Sequence, residues 1–365
     1  MDYSQRNPVP LPTMGATQSV RSTIDTVFDW QYSLERQKLM ALYEKGKAAS
    51  WNATDLDWTV DVDVERLARE AQVDVFMNTL MSPPKPFTLD TAIAFRLHMN
   101  AFMLSQFLHG EQGALVATAK IVQTVPWEEA KFYAANQVAD EARHVEVYHR
   151  YLTEKLGLSY EVHPSLSQLL DDIVSDSRWD ITYLGMQIMV EGLALAAFGM
   201  MRLVMQNEPL IQDITARIMQ DESRHVAFGV LSLQDLYTSE LSASELRERE
   251  DFVMASAELL KERLLMSPVF ERLGWDTKVW VPWMTSTPFQ VGFRQMMFSK
   301  IVPNLRRLGL LTPRVREAFA KLDILRFEHE KDSVEQPEVS PPEELVKMMM
   351  QYMAEHGVMP GGASS

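Results

Sequence analysis

Two copies of one pentapeptide pattern constrain this chain more than any other feature: Asp140-Glu141-Ala142-Arg143-His144 and Asp221-Glu222-Ser223-Arg224-His225. Each sits inside a run of helix formers. On a helix, a Glu and a His three positions apart share a face, so a carboxylate oxygen and an imidazole nitrogen can reach the same metal ion. With each specified position matched at about 1 in 20, a single four-residue match is expected about 0.002 times in a chain of this length, and two matches far less often.

A pair of metal ions would need one further carboxylate from each of two other helices, and distances from the turns identify them. Glu111 lies 13 residues before Thr124, and Glu141 lies 16 residues after Val125. In an antiparallel pair those two stand within roughly 5 Å of the same height. Glu191 lies 16 residues before Asn207, and Glu222 lies 14 residues after Glu208, so the second pair is level too. Glu191 is set between Ile188-Met189-Val190 and the apolar run from Leu193 to Phe198. A lone carboxylate buried there is costly, by several kcal/mol. A metal removes that cost, and a buried ion pair with Arg143 or Arg224 is the alternative. Asp140 and Asp221 fit a supporting role, because metal-bound histidines usually donate their second ring N–H to a carboxylate. The natural pairing is crosswise, Asp140 with His225 and Asp221 with His144, with Arg143 and Arg224 compensating the aspartates.

The chain lacks cysteine, which removes thiolate metal sites, iron–sulfur clusters and disulfides together. Any metal must therefore be held by oxygen and nitrogen. The balance of 35 Lys plus Arg against 50 Asp plus Glu, net −15, disfavours nucleic acid as a partner. The longest apolar stretch, Met186 to Met201, is interrupted by Gln187 and Glu191, so no membrane span is expected. The polar start with Pro8, Pro10 and Pro12 is unlike a secretory signal, and a cytoplasmic protein is expected.

Prolines and glycines fall between long stretches of helix formers and period-two alternation is almost absent, so the fold class expected is all-α. Helical regions are expected over 22–47 and 63–81, followed by four long helices over 88–123, 126–156, 166–206 and 209–237. Pro126 and Pro209 are read as first-turn residues and Gly157 as a stop. Further helices are expected over 242–265, where Ser242 and Glu245 have capping-box spacing, and over 288–308, 313–322 and 342–355. The domain reading is a flexible segment over 1–21, a helical bundle over 22–330 with core helices over 88–237, and a linker with a helical tail over 331–365.

On Glu111, Glu141-x-x-His144, Glu191 and Glu222-x-x-His225 the sequence resembles the ferritin-like di-iron carboxylate superfamily. Within it, the match is to the branch of ribonucleotide reductase small subunits and bacterial multicomponent monooxygenases, over about 88–237. The resemblance implies a ferritin-like four-helix bundle with flanking helices and two iron ions per chain, with a Mn/Fe pair also accommodated. It implies O₂ as co-substrate and oxidation of a small organic molecule at a C–H or N–H bond. A ferredoxin or reductase as electron donor and a homodimer are the expected partners. Departures narrow this reading. The monooxygenases carry a threonine four residues after the counterpart of Glu191, where this chain has Leu195. The arylamine N-oxygenases carry a histidine four residues before the second pair, where this chain has Ile218.

Tyr148 lies four residues after His144, where ribonucleotide reductase small subunits carry a radical tyrosine. With Tyr133 and Tyr151 nearby, a packing role is preferred. His109 and His149 face away from the ligand row and are read as structural. Gln137, Ala114, Leu115, Leu195 and Phe198 lie one or two turns from ligands on the same faces and are expected in the cavity wall, where small Ala114 and Ala194 leave room for substrate. Three function classes follow in order: an O₂-dependent oxygenase or oxidase, a radical-storing subunit, and a non-catalytic iron-handling bundle.

Overall fold

The computed structural model describes residues 17–70, 72–205 and 207–336. Most of the N-terminal segment 1–21 and the helix expected over 342–355 lie outside the described residues. No β-strand occurs among the described residues.

Four helices carry the centre. α4, Leu89–Thr124, starts where the Thr88 side chain accepts from the Thr91 N–H. α5, Glu128–Arg150, opens with Glu128 and Glu129 and closes with His149 and Arg150, as the helix dipole favours. It continues as π-helix over Tyr151–Leu156 and stops at Gly157, whose φ of 61° is left-handed. Pro126 is not in its first turn: it precedes the N-cap Trp127, in the extended turn out of α4. α9, Pro209–Asp235, does have proline in its first turn, and Glu208 caps it by accepting from Leu210 N–H and Ile211 N–H.

The single helix expected over 166–206 is in fact two. α6, Pro164–Ser175, ends at Asp176, and the chain re-enters helix as α7, Trp179–Tyr183, a π-helical stretch over Leu184–Val190, and α8, Glu191–Val204. Lys120 of α4 supports the break by donating to the carbonyls of Ile173, Val174 and Asp176. Those are carbonyls that a continuing helix would need.

The N-terminal helix is shorter than expected. α1 spans Gln37–Ala48, and residues 17–36 are non-helical. β-Branched Thr23, Ile24, Thr26 and Val27 are weak helix formers, and the non-helical segment is pinned by Val27 N–H to Gln123 O (2.8 Å) and Arg36 N–H to Glu129 Oε1 (2.7 Å). α1 then packs across α5 and α9. The region expected as one helix over 63–81 divides into α2, Val64–Glu70, and α3, Val73–Met81, with Gln72 at φ 46° between them.

α10, Ala243–Glu262, begins with the Ser242–Glu245 capping box and is followed by a 3₁₀ turn, Arg263–Leu265. α11, Ser267–Arg272, and α12, Thr277–Ser286, were not expected, because their short spans hold Pro268 and Pro282. The helix expected over 288–308 divides into α13, Pro288–Met297, and α14, Ile301–Arg307. α15 is Pro313–Lys321. Residues 332 and 333, expected to begin a linker, are buried: Arg307 meets Asp332 at 3.0 Å, and Asn304 hydrogen-bonds Ser333.

The main core fills the bundle, and a second, aromatic core surrounds the start of α4, where Phe87, Phe95, Phe270, Trp280 and Trp283 pack. The segment Trp179–Arg202 is long and apolar enough to cross a membrane by length and composition, contrary to expectation, but 94% of its most apolar window is buried inside this fold.

Candidate metal centre

The first helix of each hairpin supplies one glutamate: Glu111 from α4 and Glu191 from the start of α8. The second supplies a Glu-x-x-His pair, Glu141 with His144 from α5 and Glu222 with His225 from α9. All six are buried, none more than 5% exposed. The π-helical stretch ends directly before Glu191 and so sets the angle at which that carboxylate leaves its helix. α9 comes close there because residue 229 is glycine: a Cβ on it would lie 2.6 Å from Gln187 Cβ.

Both imidazoles turn Nδ1 inward. His144 Nδ1 is 3.2 Å from Glu111 Oε2, 3.4 Å from Glu141 Oε2 and 3.2 Å from Glu222 Oε1. His225 Nδ1 is 3.2 Å from Glu141 Oε1 and 3.4 Å from Glu222 Oε1. Ligand atoms gather into two adjacent groups, Glu111, Glu141, His144 and Glu222 in one and Glu141, Glu191 and His225 in the other, each within 4.8 Å. Glu141 belongs to both.

The outward nitrogens are tied crosswise. His144 Nε2 is 3.1 Å from Asp221 Oδ2, and His225 Nε2 is 3.3 Å from Asp140 Oδ2. Arg143 bridges to Asp140 and Arg224 to Asp221. Asp140 also accepts from Asn136 Nδ2 at 3.2 Å. Asp221 accepts instead from Trp51 Nε1–H at 2.8 Å, and the Trp51 ring lies 6.4 Å from that of His144 at 21°. Trp51 escaped the sequence reading, because nothing about a lone tryptophan after a short helix signals its partner.

The donor set fits a metal pair on the chain's own evidence. Glu141 Oε2, Glu191 Oε2, both Glu222 oxygens and His225 Nδ1 are buried with no hydrogen-bond partner. Leaving such groups unpaired is expensive, and carboxylate with imidazole suits iron and manganese. Burial first, and the Glu222 charge second, hold Glu111 and Glu191 well above the usual carboxylate range. Burial alone would depress His144 and His225, but the surrounding carboxylates outweigh it and hold both well above the usual imidazole value. The pocket is thus built for more positive charge than the two imidazoles bring.

Gln137 is central rather than peripheral, its Nε2 donating to Glu141 Oε1 at 2.9 Å and Glu191 Oε1 at 3.0 Å. A cavity of about 20 Å³, room for one water, adjoins Glu111, Glu191 and Glu222. Ala114 and Ala194 line it together with Phe107 and Val190. Leu115, Leu195 and Phe198 do not: Phe198 stands behind Phe107 at 4.6 Å between ring centroids. Tyr148 is fully buried between Phe107 and Phe198, and its hydroxyl has no partner. His149 is exposed, and His109 Nε2 is 2.9 Å from Tyr160 O, so neither joins the site.

No protein-family model matches the sequence. Among solved structures the chain is similar to an R2-like ligand-binding oxidase with aerobically reconstituted Mn/Fe cofactor, at 16% identity over 82% of this chain and 93% of that one, TM-score 0.44. It is also similar to point variants of that oxidase with anaerobically reconstituted Mn/Fe cofactor. One is 17% identical over 77% of this chain and 94% of that one, TM-score 0.46, and another 15% identical over 78% and 95%, TM-score 0.45. The arrangement of this chain's own helices and donors is the ferritin-like one: a Glu from each of two helices and a Glu-x-x-His pair from each of the other two, all projecting inward.

Proposed function

We propose that the chain is an O₂-dependent di-metal oxidoreductase that holds two iron ions, or manganese with iron, on Glu111, Glu141, His144, Glu191, Glu222 and His225 and oxidises a small organic molecule. The observation that carries this reading is the inward convergence of four carboxylates and two imidazole Nδ1 atoms in a buried interior, several of them without any other partner. The bound metals would supply the redox change and open coordination positions needed to activate O₂.

The protein's own groups do the rest. Asp140 and Asp221 accept the Nε2 protons of His225 and His144, which fixes the tautomer whose inward Nδ1 lone pair would be free for a metal. Arg143 pairs with Asp140 and Arg224 with Asp221, which holds each carboxylate in place. Phe107, Ala114, Val190 and Ala194 wall the adjoining cavity with apolar surface and keep bulk water out. Oxygenation at C–H or N–H, a ferredoxin or reductase as donor, a cytoplasmic setting and a homodimer belong to the same proposal, with 22–330 as the functional unit.

A second reading, radical storage on Tyr148, is favoured by one observation: its unpartnered hydroxyl sits in an aromatic box near Glu111, His144 and Glu222.

Metal analysis tests the central reading. The purified protein is expected to carry about two metal ions per chain, and Glu141→Ala or Glu222→Ala to lose most of them; undiminished metal in both variants would sink it. Product analysis after O₂ exposure of the reduced protein with lipophilic and amine substrates then separates oxygenase from oxidase.

A further inference from the structure

One side chain facing the cavity has no part in holding metal. Arg263, the first residue of the turn after α10, is 6% exposed and lines the cavity with Glu111, Glu191 and Glu222. Its guanidinium makes no hydrogen bond or ion pair with any described residue. Burial pulls its pKa down to about 10, which leaves it charged at neutral pH.

The chain treats another buried arginine differently. Arg249, 4% exposed, is met by both oxygens of Asp180, at 2.8 and 3.0 Å. That is the form of a structural arginine: paired, forked and satisfied. Arg263 stands at the C-terminal end of α10, where positive charge suits the helix dipole, but a solvated lysine or arginine would serve that purpose without being buried against the cavity.

The nearest carboxylates do not supply the missing counter-ion. None comes within ion-pair distance of Arg263. Two bound divalent cations would also neutralise the four glutamates. A desolvated cation facing a cavity whose other groups are already compensated calls for an anion from outside.

We propose that Arg263 determines substrate specificity by pairing with a carboxylate on the substrate, and so that the substrate is a small organic acid. The planar fork of the guanidinium matches two carboxylate oxygens. The apolar remainder of the acid lies along Phe107, Ala114, Val190 and Ala194, beside the metal pair. The cavity has room for about one water, so an acid can enter only if its lining, Phe107 included, moves aside. The proposal rests on the di-metal reading of this same site.

Calorimetric titration of the metal-loaded full-length protein with octanoate and benzoate, against octanamide and benzamide as uncharged counterparts, tests it. At least one acid is expected to bind more tightly than its amide, and Arg263→Gln to weaken that acid by roughly 10- to 100-fold, leaving the amide unchanged. Arg263→Lys should recover part of the loss. Which acid is preferred separates an alkyl from an aryl substrate.

Thermal unfolding gives an independent readout. Arg263→Met, which removes an unpaired buried charge, is expected to raise the ligand-free melting temperature, whereas loss of a structural arginine would lower it. Acids that bind Arg263→Gln as tightly as wild type, an absent acid preference, or a lower melting temperature in Arg263→Met would each overturn the proposal. Metal content is measured separately on every sample, so failure of the di-metal reading shows as missing metal and failure of the Arg263 assignment as unchanged acid binding.

Discussion

Trp51 Nε1–H donates a 2.8 Å hydrogen bond to Asp221 Oδ2 across 170 residues of sequence, and the same oxygen lies 3.1 Å from His144 Nε2. The segment after α1 is thereby fastened to the site. Trp51→Phe keeps an aromatic ring, smaller by the pyrrole part of the indole, and deletes the donor. A hydrogen bond to a charged group contributes about 1.5 to 3 kcal/mol, so the variant is expected to melt several degrees lower and to release metal faster to a chelator. Identical melting and release would show the bond to be incidental.

Asp140→Asn and Asp221→Asn are expected to keep the helical fold and to weaken metal affinity or activity by roughly 10- to 100-fold. Asp221→Asn should be the more severe, since Asp221 holds Trp51 at 2.8 Å and His144 at 3.1 Å, against 3.2 Å to Asn136 and 3.3 Å to His225 at Asp140. Chelator competition followed by metal analysis reads both.

The site also links stability to pH. In the metal-free protein Glu111, Glu191, His144 and His225 are all held above their ordinary values of 4.5 and 6.5. The folded state therefore binds more protons than the unfolded chain, and that stabilisation is lost as pH rises through the folded values. Each such proton changes stability by about 1.4 kcal/mol per pH unit. The metal-free melting temperature is expected to fall between about pH 6 and pH 8, and metal affinity to rise over the same interval as metal displaces the protons. A metal-free protein that gains stability over that interval would contradict this linkage.

Six donors were legible in the sequence because i, i+3 spacing is a property of the helix itself and because counting from turns fixes height along antiparallel helices. The crosswise Asp–His geometry follows from the same repeat. Trp51 and Arg263 were not legible, since each meets the site from a remote segment and neither belongs to a pattern. The break at Asp176 carries no proline or glycine, and what supports it is Lys120 on another helix. The π-helical stretch was equally hidden: it depends on Gly185, where a Cβ would lie 2.4 Å from Ile173 Cγ1, and on Gly229 against Gln187.

Gly229→Ala tests that close approach. The added Cβ would force Gln187 aside, and overpacking of this kind costs about 1 to 3 kcal/mol. Lower stability accompanied by weaker metal retention is expected, because Glu191 sits directly after the displaced stretch; unchanged melting would show that the two helices slide freely.

Tyr148→Phe separates the two chemical readings. An oxidase or oxygenase is expected to keep O₂ consumption and substrate conversion, at a stability change of about 1 kcal/mol or less, since the hydroxyl it loses has no partner. A radical-storing subunit would lose its tyrosyl paramagnetic signal and all turnover with both metals still bound.

The apolar segment Trp179–Arg202 has a further consequence during synthesis. Between Asp180 and Arg202 its only charge is Glu191; α4 and α6 pack on it from earlier in the chain, but α9, α10, α13 and α14, which also cover it, all follow it. As the polypeptide leaves the ribosome, this stretch emerges before the later part of its cover and presents what both aggregation and membrane-insertion machinery recognise. Full shielding of the helix that bears Glu191 therefore waits on translation as far as Arg307, well past His225, the last of the six donors.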